Sequence, residues 1–215
     1  MKKIHLISIL LVCFFFSTNN SYAARNIALT STAPTIDGTI DNVWNTSLAP
    51  AQTINTTTTG TPTNAPAGRW RAMYDATNFY FLIEINDTYR WGNPTAGSYW
   101  NGDAVEICVK TGTPAKNQIG FGYVSNGTPR VYGDYTASEC KMVDVTSNYS
   151  GNPGYILEVR IPKSGIAQSS LTTGGELYME VCVNQTSNGT NRQAQLATYS
   201  SSTTHYSTYA SYTAL

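Results

Sequence analysis

The chain has 215 residues, a formal net charge of +0 and only 12% charged side chains. This balance excludes the basic surface that nucleic acid or an anionic membrane would require. The fifteen tyrosines and four tryptophans, with many Thr, Ser, Asn and Gly residues, favour a β-rich domain that meets neutral, hydroxyl-rich partners.

The first residues are typical of a secretory signal peptide. Lys2 and Lys3 precede an apolar run over Ile4–Phe16, and Ser21-Tyr22-Ala23 matches a cleavage site. Residues 1–23 are therefore predicted to be removed, and residues 24–215 to form one domain that is secreted, periplasmic or displayed at the cell surface. A lipoprotein signal at Cys13 is the alternative, although its apolar region would be very short.

The rest of the sequence alternates apolar and polar residues in short runs that turn residues separate. These runs predict strands at Trp70–Tyr74, Phe79–Ile85, Val105–Lys110, Ile119–Val124, Cys140–Val145, Tyr155–Ile161, Leu177–Val183 and Gln195–Tyr199. Asn55–Gly68 and Thr88–Ser98 are predicted to be long surface loops. The pattern predicts an all-β fold, an antiparallel β-sandwich of the immunoglobulin-like kind in a single domain.

Three cysteines follow the predicted signal peptide. Cys108 and Cys182 occupy matching places in two similar strands, within Glu-Ile-Cys-Val and Glu-Val-Cys-Val, and Cys140 lies between them. Export favours oxidation. A disulfide between the two strands and three buried thiols are both compatible with the sequence.

The segment Trp100–Val109 places an aromatic side chain close to a carboxylate. Alternation from Ala104 onward puts the valine and isoleucine side chains on one strand face and Glu106 on the other. An indole offers a flat surface to the C–H face of a pyranose, and a carboxylate offers acceptors to its hydroxyls. The segment therefore predicts sugar binding, and the alternative is that Trp100 caps the core while Glu106 is solvated.

Five ordered segments resemble carbohydrate-binding module family 9, the sugar-binding domains attached to xylanases. The third reads Trp-Asn-Gly-Asp-Ala-Val-Glu-Ile, which is similar to the family's most characteristic string. The five segments are Pro34–Trp44, Ala72–Leu82, Trp100–Ile107, Gly154–Pro162 and an aromatic stretch near the C-terminus. The resemblance covers nearly all of residues 24–215 and implies a β-sandwich like that of DOMON domains.

The resemblance also implies the residues of a binding site. In that family a terminal glucose or xylose lies between two aromatic rings, and polar side chains surround its hydroxyls. Trp100 matches the first ring and Glu106 the carboxylate, while Tyr206 stands near the place of the second ring. Other candidate contacts are Trp91, Gln118, Tyr123 and Arg130. The implied function is non-catalytic binding of carbohydrate, such as chain ends of xylan or cellulose, in support of a partner glycosidase.

Members of that family often carry structural calcium. The resemblance therefore implies Asp37, Asp41 and Asp87 as candidate carboxylate ligands. Aspartates that form turns and end strands are the alternative interpretation of the same three residues.

Two other functions are compatible with the sequence. A glycosidase would need two carboxylates across a cleft, from the set Asp103, Glu106, Glu158 and Glu180. An electron-transfer sandwich would bind haem through a Met and a His, for which Met73 and His205 are the candidates.

Overall fold

Alternating strands build almost all of the protein. The computed structural model describes residues 25–62, 68–110, 118–166, 168, 170–201 and 209–215. The strands are β1 (Asn26–Leu29), β2 (Gln52–Ile54), β3 (Thr56–Gly60), β4 (Gly68–Tyr74), β5 (Asn78–Asn86), β6 (Ala104–Lys110), β7 (Gln118–Gly122), β8 (Arg130–Gly133), β9 (Glu139–Val145), β10 (Gly154–Pro162), β11 (Glu176–Gln185), β12 (Ala194–Ala197) and β13 (Ala210–Ala214). Helical structure in these ranges consists of three 3₁₀ turns, at Asn42–Trp44, Tyr99–Asn101 and Lys163–Ile166.

The strands form two sheets. In sheet A the order is β8-β7-β6-β11, and β11 then pairs with β13 along its first half and with β12, which pairs with β3, along its second half. Sheet B has the order β1-β4-β5-β10-β9, with β2 also on β4. Neighbours run antiparallel except at β1, which lies parallel to both β13 and β4 and joins the two sheets.

The main core lies between the sheets. One side chain in two points inward along each central strand, so that Phe81 and Ile83 of β5 meet Val105 and Ile107 of β6 in one apolar cluster. Trp70 packs on Tyr212 at a ring-centroid distance of 5.3 Å. Because large aromatic side chains dominate this core, its burial supplies most of the stability of the fold.

The eight predicted strands are confirmed, with ends shifted by a few residues. The predicted loop Asn55–Gly68 is wrong in its first part, because Thr56–Gly60 forms β3. Threonine favours strands, and β12 offers an unpaired edge that this segment completes. The predicted signal peptide, residues 1–23, lies outside the described residues.

The two outer surfaces of the sandwich differ. The segment that follows β1 covers sheet B, where Ile36 and Trp44 pack on Met73, Tyr80 and neighbouring side chains. The outer face of sheet A carries charged and amide side chains instead. Across the described ranges, the structure contains no helix of the length and apolarity needed to cross a membrane.

Candidate functional site

The outer face of sheet A contains a buried carboxylate. Glu106 points outward from the middle of β6, while Val105 and Ile107 point into the core, as the alternation predicted. Trp100 lies just before this strand in the 3₁₀ turn Tyr99–Asn101, and 40% of its surface is exposed. The structure therefore places the aromatic residue of the motif just before β6 and the acidic residue within it.

Three neutral donors compensate the charge of Glu106. Its Oε1 accepts the Tyr132 hydroxyl at 2.9 Å and the Asn184 amide at 3.0 Å, and its Oε2 accepts the Gln195 amide at 3.3 Å. Burying a carboxylate is costly unless hydrogen bonds replace water. Glu106, Tyr132, Asn184 and Gln195, with Arg192 described next, are called the Glu106 cluster.

Arg192 connects this cluster to the exposed tryptophan. Its guanidinium carbon lies 5.3 Å from the ring centroid of Trp100, and its Nη1 donates to Asn184 Oδ1 at 3.3 Å. A guanidinium over an indole face is a favourable cation–π arrangement. A ligand that approaches Trp100 therefore also meets a positive charge and, behind it, the Asn184 amide.

Tyr132 lies flat on the sheet because Gly120 stands beneath it. A Cβ at Gly120 would lie 2.0 Å from Tyr132 Cζ, so a larger residue would expel the ring. The ring of Tyr99 lies 6.4 Å from that of Tyr132. Burial and the charge of Glu106 raise the pKa of Tyr132 well above its usual value, so its hydroxyl stays protonated and remains a donor.

Asp103 fixes the loops around Trp100. Its buried carboxylate accepts the backbone N–H of Trp91 at 2.5 Å and that of Thr186 at 2.7 Å. Burial, with the nearby charge of Asp87, raises the pKa of Asp103 to about 9. One side chain thus ties the loop before β6 to the loop after β11.

The loop after β11 places Arg192 by local hydrogen bonds. The Thr186 hydroxyl donates to the Asn191 carbonyl at 2.8 Å, and the N–H of Thr190 donates to Asn188 Oδ1 at 2.9 Å. Gly189 has a φ of +68°, and a Cβ there would lie 3.2 Å from Trp91 Cβ. The sequence Asn188-Gly189 therefore lets this loop approach the Trp91 loop closely.

The other predicted contacts surround the cluster in different ways. Trp91 is 51% exposed. Gln118 lies opposite Cys108 on the outer face, next to the inward-pointing Ile119 on β7. Arg130 lies opposite Gly122 on the same face, and its Nη1 donates to the Tyr123 carbonyl at 2.8 Å. These residues share the face or the end of the sandwich with Glu106.

The structure does not bring Tyr123 into the cluster. Its side chain is part of the core between the sheets, with its ring 5.4 Å from that of Tyr155 and its hydroxyl donating to Asp144 at 2.7 Å. Alternation explains the difference, because Tyr123 points to the same side as the inward-pointing Phe121, whereas Gly120 lies on the outer face. Tyr206, the predicted second ring, lies outside the described residues.

Four members of the cluster were missing from the sequence prediction. Asn184 lies one residue beyond the predicted end of its strand, and Tyr132 lies in the unpredicted strand β8. Gln195 opens a predicted strand, and Arg192 follows the turn at Asn188-Gly189. Asn184 could have been found from the sequence, because it lies two residues after Cys182 and points to the same side of β11. Tyr132 required the pairing of β6, β7 and β8, and Gln195 that of β6, β11 and β12.

All three cysteines in the described residues are free thiols. Cys108 lies opposite Glu180, and Cys182 lies opposite Glu106, so the two residues are diagonal neighbours on β6 and β11. The predicted neighbourhood of these two residues is therefore confirmed, although they do not form a direct cross-strand pair. Both lie buried beside the Glu106 cluster.

The three aspartates named as calcium ligands do not meet. Asp37 Oδ1 accepts the N–H of Thr39, and Asp41 Oδ2 accepts the N–H of Thr35. Asp87 is at the far end of β5, and its Oδ1 accepts the N–H of Tyr89. Over the residues that the structure describes, no three acidic, His or Cys side chains form a metal-binding group. These three residues do not fit one calcium site, and calcium binding by the chain stays a prediction.

The turn at Asp37 rests on the buried carboxylate of Glu158. Its Oε2 accepts the N–H of Gly38 at 2.8 Å and that of Asp37 at 3.2 Å. Burial raises the pKa of Glu158 to about 7, above the usual 4.5. The folded protein therefore holds this proton between about pH 4.5 and pH 7, where the unfolded chain has released it.

We expect the stability contributed by Glu158 to fall as the pH rises through this window. Relative to Glu158→Gln, the native chain should lose on the order of 2 kcal/mol between pH 5 and pH 8, since water near the exposed turn screens part of the cost. Thermal midpoints of both proteins at the two pH values test this, with Glu176→Gln on β11 as the exposed control. A difference between native and variant midpoints that does not change with pH would contradict it.

The other carboxylates considered for catalysis, those of Asp103, Glu158 and Glu180, accept hydrogen bonds from the backbone. Glu180 lies on the same face as Glu106 but accepts four backbone N–H groups, those of Val181, Thr198, Tyr199 and Ser200. Asp103 faces the loops, and Glu158 lies on sheet B. Of the four acids, Glu106 and Glu180 share a face, and backbone N–H groups occupy the carboxylate of Glu180.

The haem hypothesis depends on Met73 and His205. Met73 is buried against Trp44 and Tyr80 on the outer side of sheet B. His205 lies outside the described residues. The position of Met73 is that of a packing residue.

Fold and site together define a class: a β-sandwich binding domain that presents an exposed indole and a hydrogen-bonded polar cluster on one sheet. Residues 36–213 match the model of the family described as carbohydrate family 9 binding domain-like. The chain therefore belongs to this family, which confirms the resemblance to carbohydrate-binding module family 9. A comparison with curated proteins finds no match.

Solved structures share the fold. A carbohydrate-binding module family 9 from Caldicellulosiruptor kristjanssonii in complex with glucose superposes with a TM-score of 0.63 at 17% identity, covering 89% of this chain and 96% of that one. The same kind of module from that organism in complex with cellotriose gives 0.64 at 18%, with coverages of 88% and 93%. At these identities the likeness shows the common β-sandwich and confirms the predicted fold class.

Proposed function

We propose that this protein binds carbohydrate without catalysis, using the outer face of sheet A. The observation that carries the proposal is the exposed Trp100 beside the Glu106 cluster, in a chain that belongs to the family 9 binding domains. The indole supplies apolar stacking area, and the amides, Arg192 and Glu106 supply donors and acceptors for hydroxyls. The members of the cluster accept and donate in one network, which suits a ligand that carries both kinds of group.

A ligand that enters this site contacts the exposed side chains first and the buried ones afterwards. Trp100, Arg192 and Tyr132 retain exposed surface, whereas Glu106, Asn184 and Gln195 are buried. A sugar hydroxyl reaches Glu106 by replacing the Tyr132 hydroxyl, which is also an O–H donor. The carboxylate keeps the same number of donors in this exchange, and stacking on Trp100 adds apolar contact.

The expected affinity is modest. Stacking one sugar face on an indole removes on the order of 100 Å² of apolar area from water, or about 2.5 kcal/mol. Hydrogen bonds to charged groups add about 1.5 to 3 kcal/mol each, and association entropy and desolvation offset several kcal/mol. The dissociation constant should therefore be roughly micromolar to millimolar, and attachment should be reversible.

The proposal extends to the kind of polysaccharide, to export of the protein and to a partner glycosidase. Complexes of the related modules with glucose and cellotriose support a β-glucan chain end as the ligand of this chain. A xylan chain end is the second candidate, from the resemblance to modules attached to xylanases. The signal sequence predicted for residues 1–23 supports export, and a separate glycosidase that acts on the same polysaccharide would benefit from the attachment. The protein would then support degradation of plant-type polysaccharide.

Affinity electrophoresis of residues 24–215 tests the proposal. We expect retardation in gels that contain soluble glucan or xylan and release by glucose, cello-oligosaccharides or xylo-oligosaccharides. Migration that no polysaccharide of a broad panel alters would overturn the carbohydrate proposal. Retardation by a polysaccharide without glucose or xylose would keep the function and overturn the finer ligand assignment.

A further inference from the structure

A recess of about 310 Å³ opens at the opposite end of the sandwich from Trp100. It lies where β4 turns into β5, and its walls are formed by Leu29, Tyr74, Asp75, Ala76, Lys163, Leu171, Thr172 and Thr173. Strand β5 runs from this turn to the loop that carries Trp91, so at about 3.3 Å per residue the two ends lie roughly 27 Å apart. The recess is therefore separate from the proposed carbohydrate site, and the inference below does not depend on that site.

The wall of this recess contains a buried cation. Lys163 is 3% exposed, and its Nζ donates to the Leu171 carbonyl at 2.7 Å and to the Asp75 carbonyl at 3.4 Å. The ring centroid of Tyr74 lies 5.4 Å from the same atom. These partners are all neutral, and among the ion pairs of the described residues none involves Lys163. An ammonium has three N–H donors, so one donor is left for a further acceptor.

The carboxylate of Asp75, which also lines the recess, forms no ion pair with this lysine. The Asp75 carboxylate accepts the N–H of Thr77 at 2.7 Å, the N–H of Asn78 at 2.7 Å and the hydroxyl of Tyr80 at 2.6 Å. Its oxygens are thus occupied at the turn and by β5. Burying an ammonium without an ion-pair partner is costly, so the remaining N–H of Lys163 favours an anionic acceptor in the recess.

We propose that the recess binds the carboxylate of a small organic acid or acidic sugar, with the anion on Lys163. The apolar walls at Leu29 and Leu171 contact the body of the ligand, and the Thr173 hydroxyl, which lies 3.2 Å from the Tyr74 hydroxyl, offers a polar contact. The volume is at the lower end of the range for ligand pockets, so the ligand is small. A single buried ion pair with few other contacts corresponds to millimolar affinity.

NMR titration of the isotope-labelled chain with sodium propionate, sodium glucuronate and neutral glucose tests the proposal. We expect either carboxylate, but not glucose, to shift the methyl signals of Leu29 and Leu171. Propionate alone would indicate a small organic acid, and glucuronate alone an acidic sugar. No shift with either carboxylate at saturating concentration would overturn the proposal.

Two variants locate the anion. Lys163→Met keeps the apolar stem and removes the charge, and we expect at least tenfold weaker binding. Ala76→Trp fills the mouth of the recess from an exposed position and leaves Lys163 in place. It should also weaken carboxylate binding, and it provides the test if Lys163→Met does not fold. Trp100→Ala is the matched control and should leave the carboxylate shifts unchanged. Shifts that persist at native affinity in both pocket variants would contradict the assignment.

Discussion

Replacement of Trp100 by alanine should abolish retention on glucan or xylan while the thermal midpoint stays within a few degrees of the native value. The side chain is 40% exposed and contributes to neither apolar cluster, so its loss leaves the core intact. Loss of about 2.5 kcal/mol of stacking corresponds to a roughly 70-fold weaker association. Affinity electrophoresis and a thermal melt of the same preparation measure the two effects.

Tyr178→Ala provides the control for this substitution. Tyr178 is 38% exposed and lies on the same face, but near the start of β11, remote from the Glu106 cluster. Its truncation should leave retention unchanged. If Trp100→Ala unfolds the domain, the indole is a core residue. If the variant folds and still binds with native affinity, the stacking role is excluded.

The second large effect is expected for Glu106→Gln. An amide of the same shape places a donor against the Tyr132 hydroxyl and the Asn184 and Gln195 amides, which already donate to this position. Loss of charged hydrogen bonds of about 1.5 to 3 kcal/mol should weaken sugar binding by roughly 10-fold to 150-fold. Isothermal titration calorimetry with a cello-oligosaccharide measures the change.

Rearrangement of the cluster cannot easily rescue that variant. Asn184 Oδ1 already accepts Arg192, and Gln195 Oε1 accepts the Thr58 hydroxyl at 2.8 Å, so turning either amide breaks another bond. Glu176→Gln, at an exposed position on β11, is the charge-matched control. Native affinity in Glu106→Gln would show that the carboxylate does not serve the ligand.

Local periodicity and adjacency along the chain were sufficient to predict two of the six residues of the candidate site. The alternation after Ala104 placed Glu106 outward, and the position of Trp100 just before that strand followed from adjacency in sequence. The same rule would have separated Tyr123 from Glu106, because Tyr123 shares its parity with the inward Phe121. Tyr123 was named as a candidate contact because it follows Glu106 on a neighbouring predicted strand, and strand geometry places it in the core.

The other four residues depend on strand pairing and on the loop after β11, which the sequence pattern does not contain. Asn184 and Gln195 reach Glu106 from 78 and 89 residues away along the chain. Their positions follow from the register of β6, β11 and β12, which the whole sandwich determines. The strand β3 was missed for a related reason, since its threonines pair with β12 and have little apolar pattern of their own.

The parallel placement of β1 beside β13 has a mechanical consequence. The two terminal strands run in the same direction and are hydrogen-bonded to each other, while β1 is also held by β4. A pull along the chain through β1 and β13 would draw them in opposite directions, so these hydrogen bonds bear the force in shear and must break together, not one after another. A module anchored to a polysaccharide under flow would thus resist extension at the seam between its sheets.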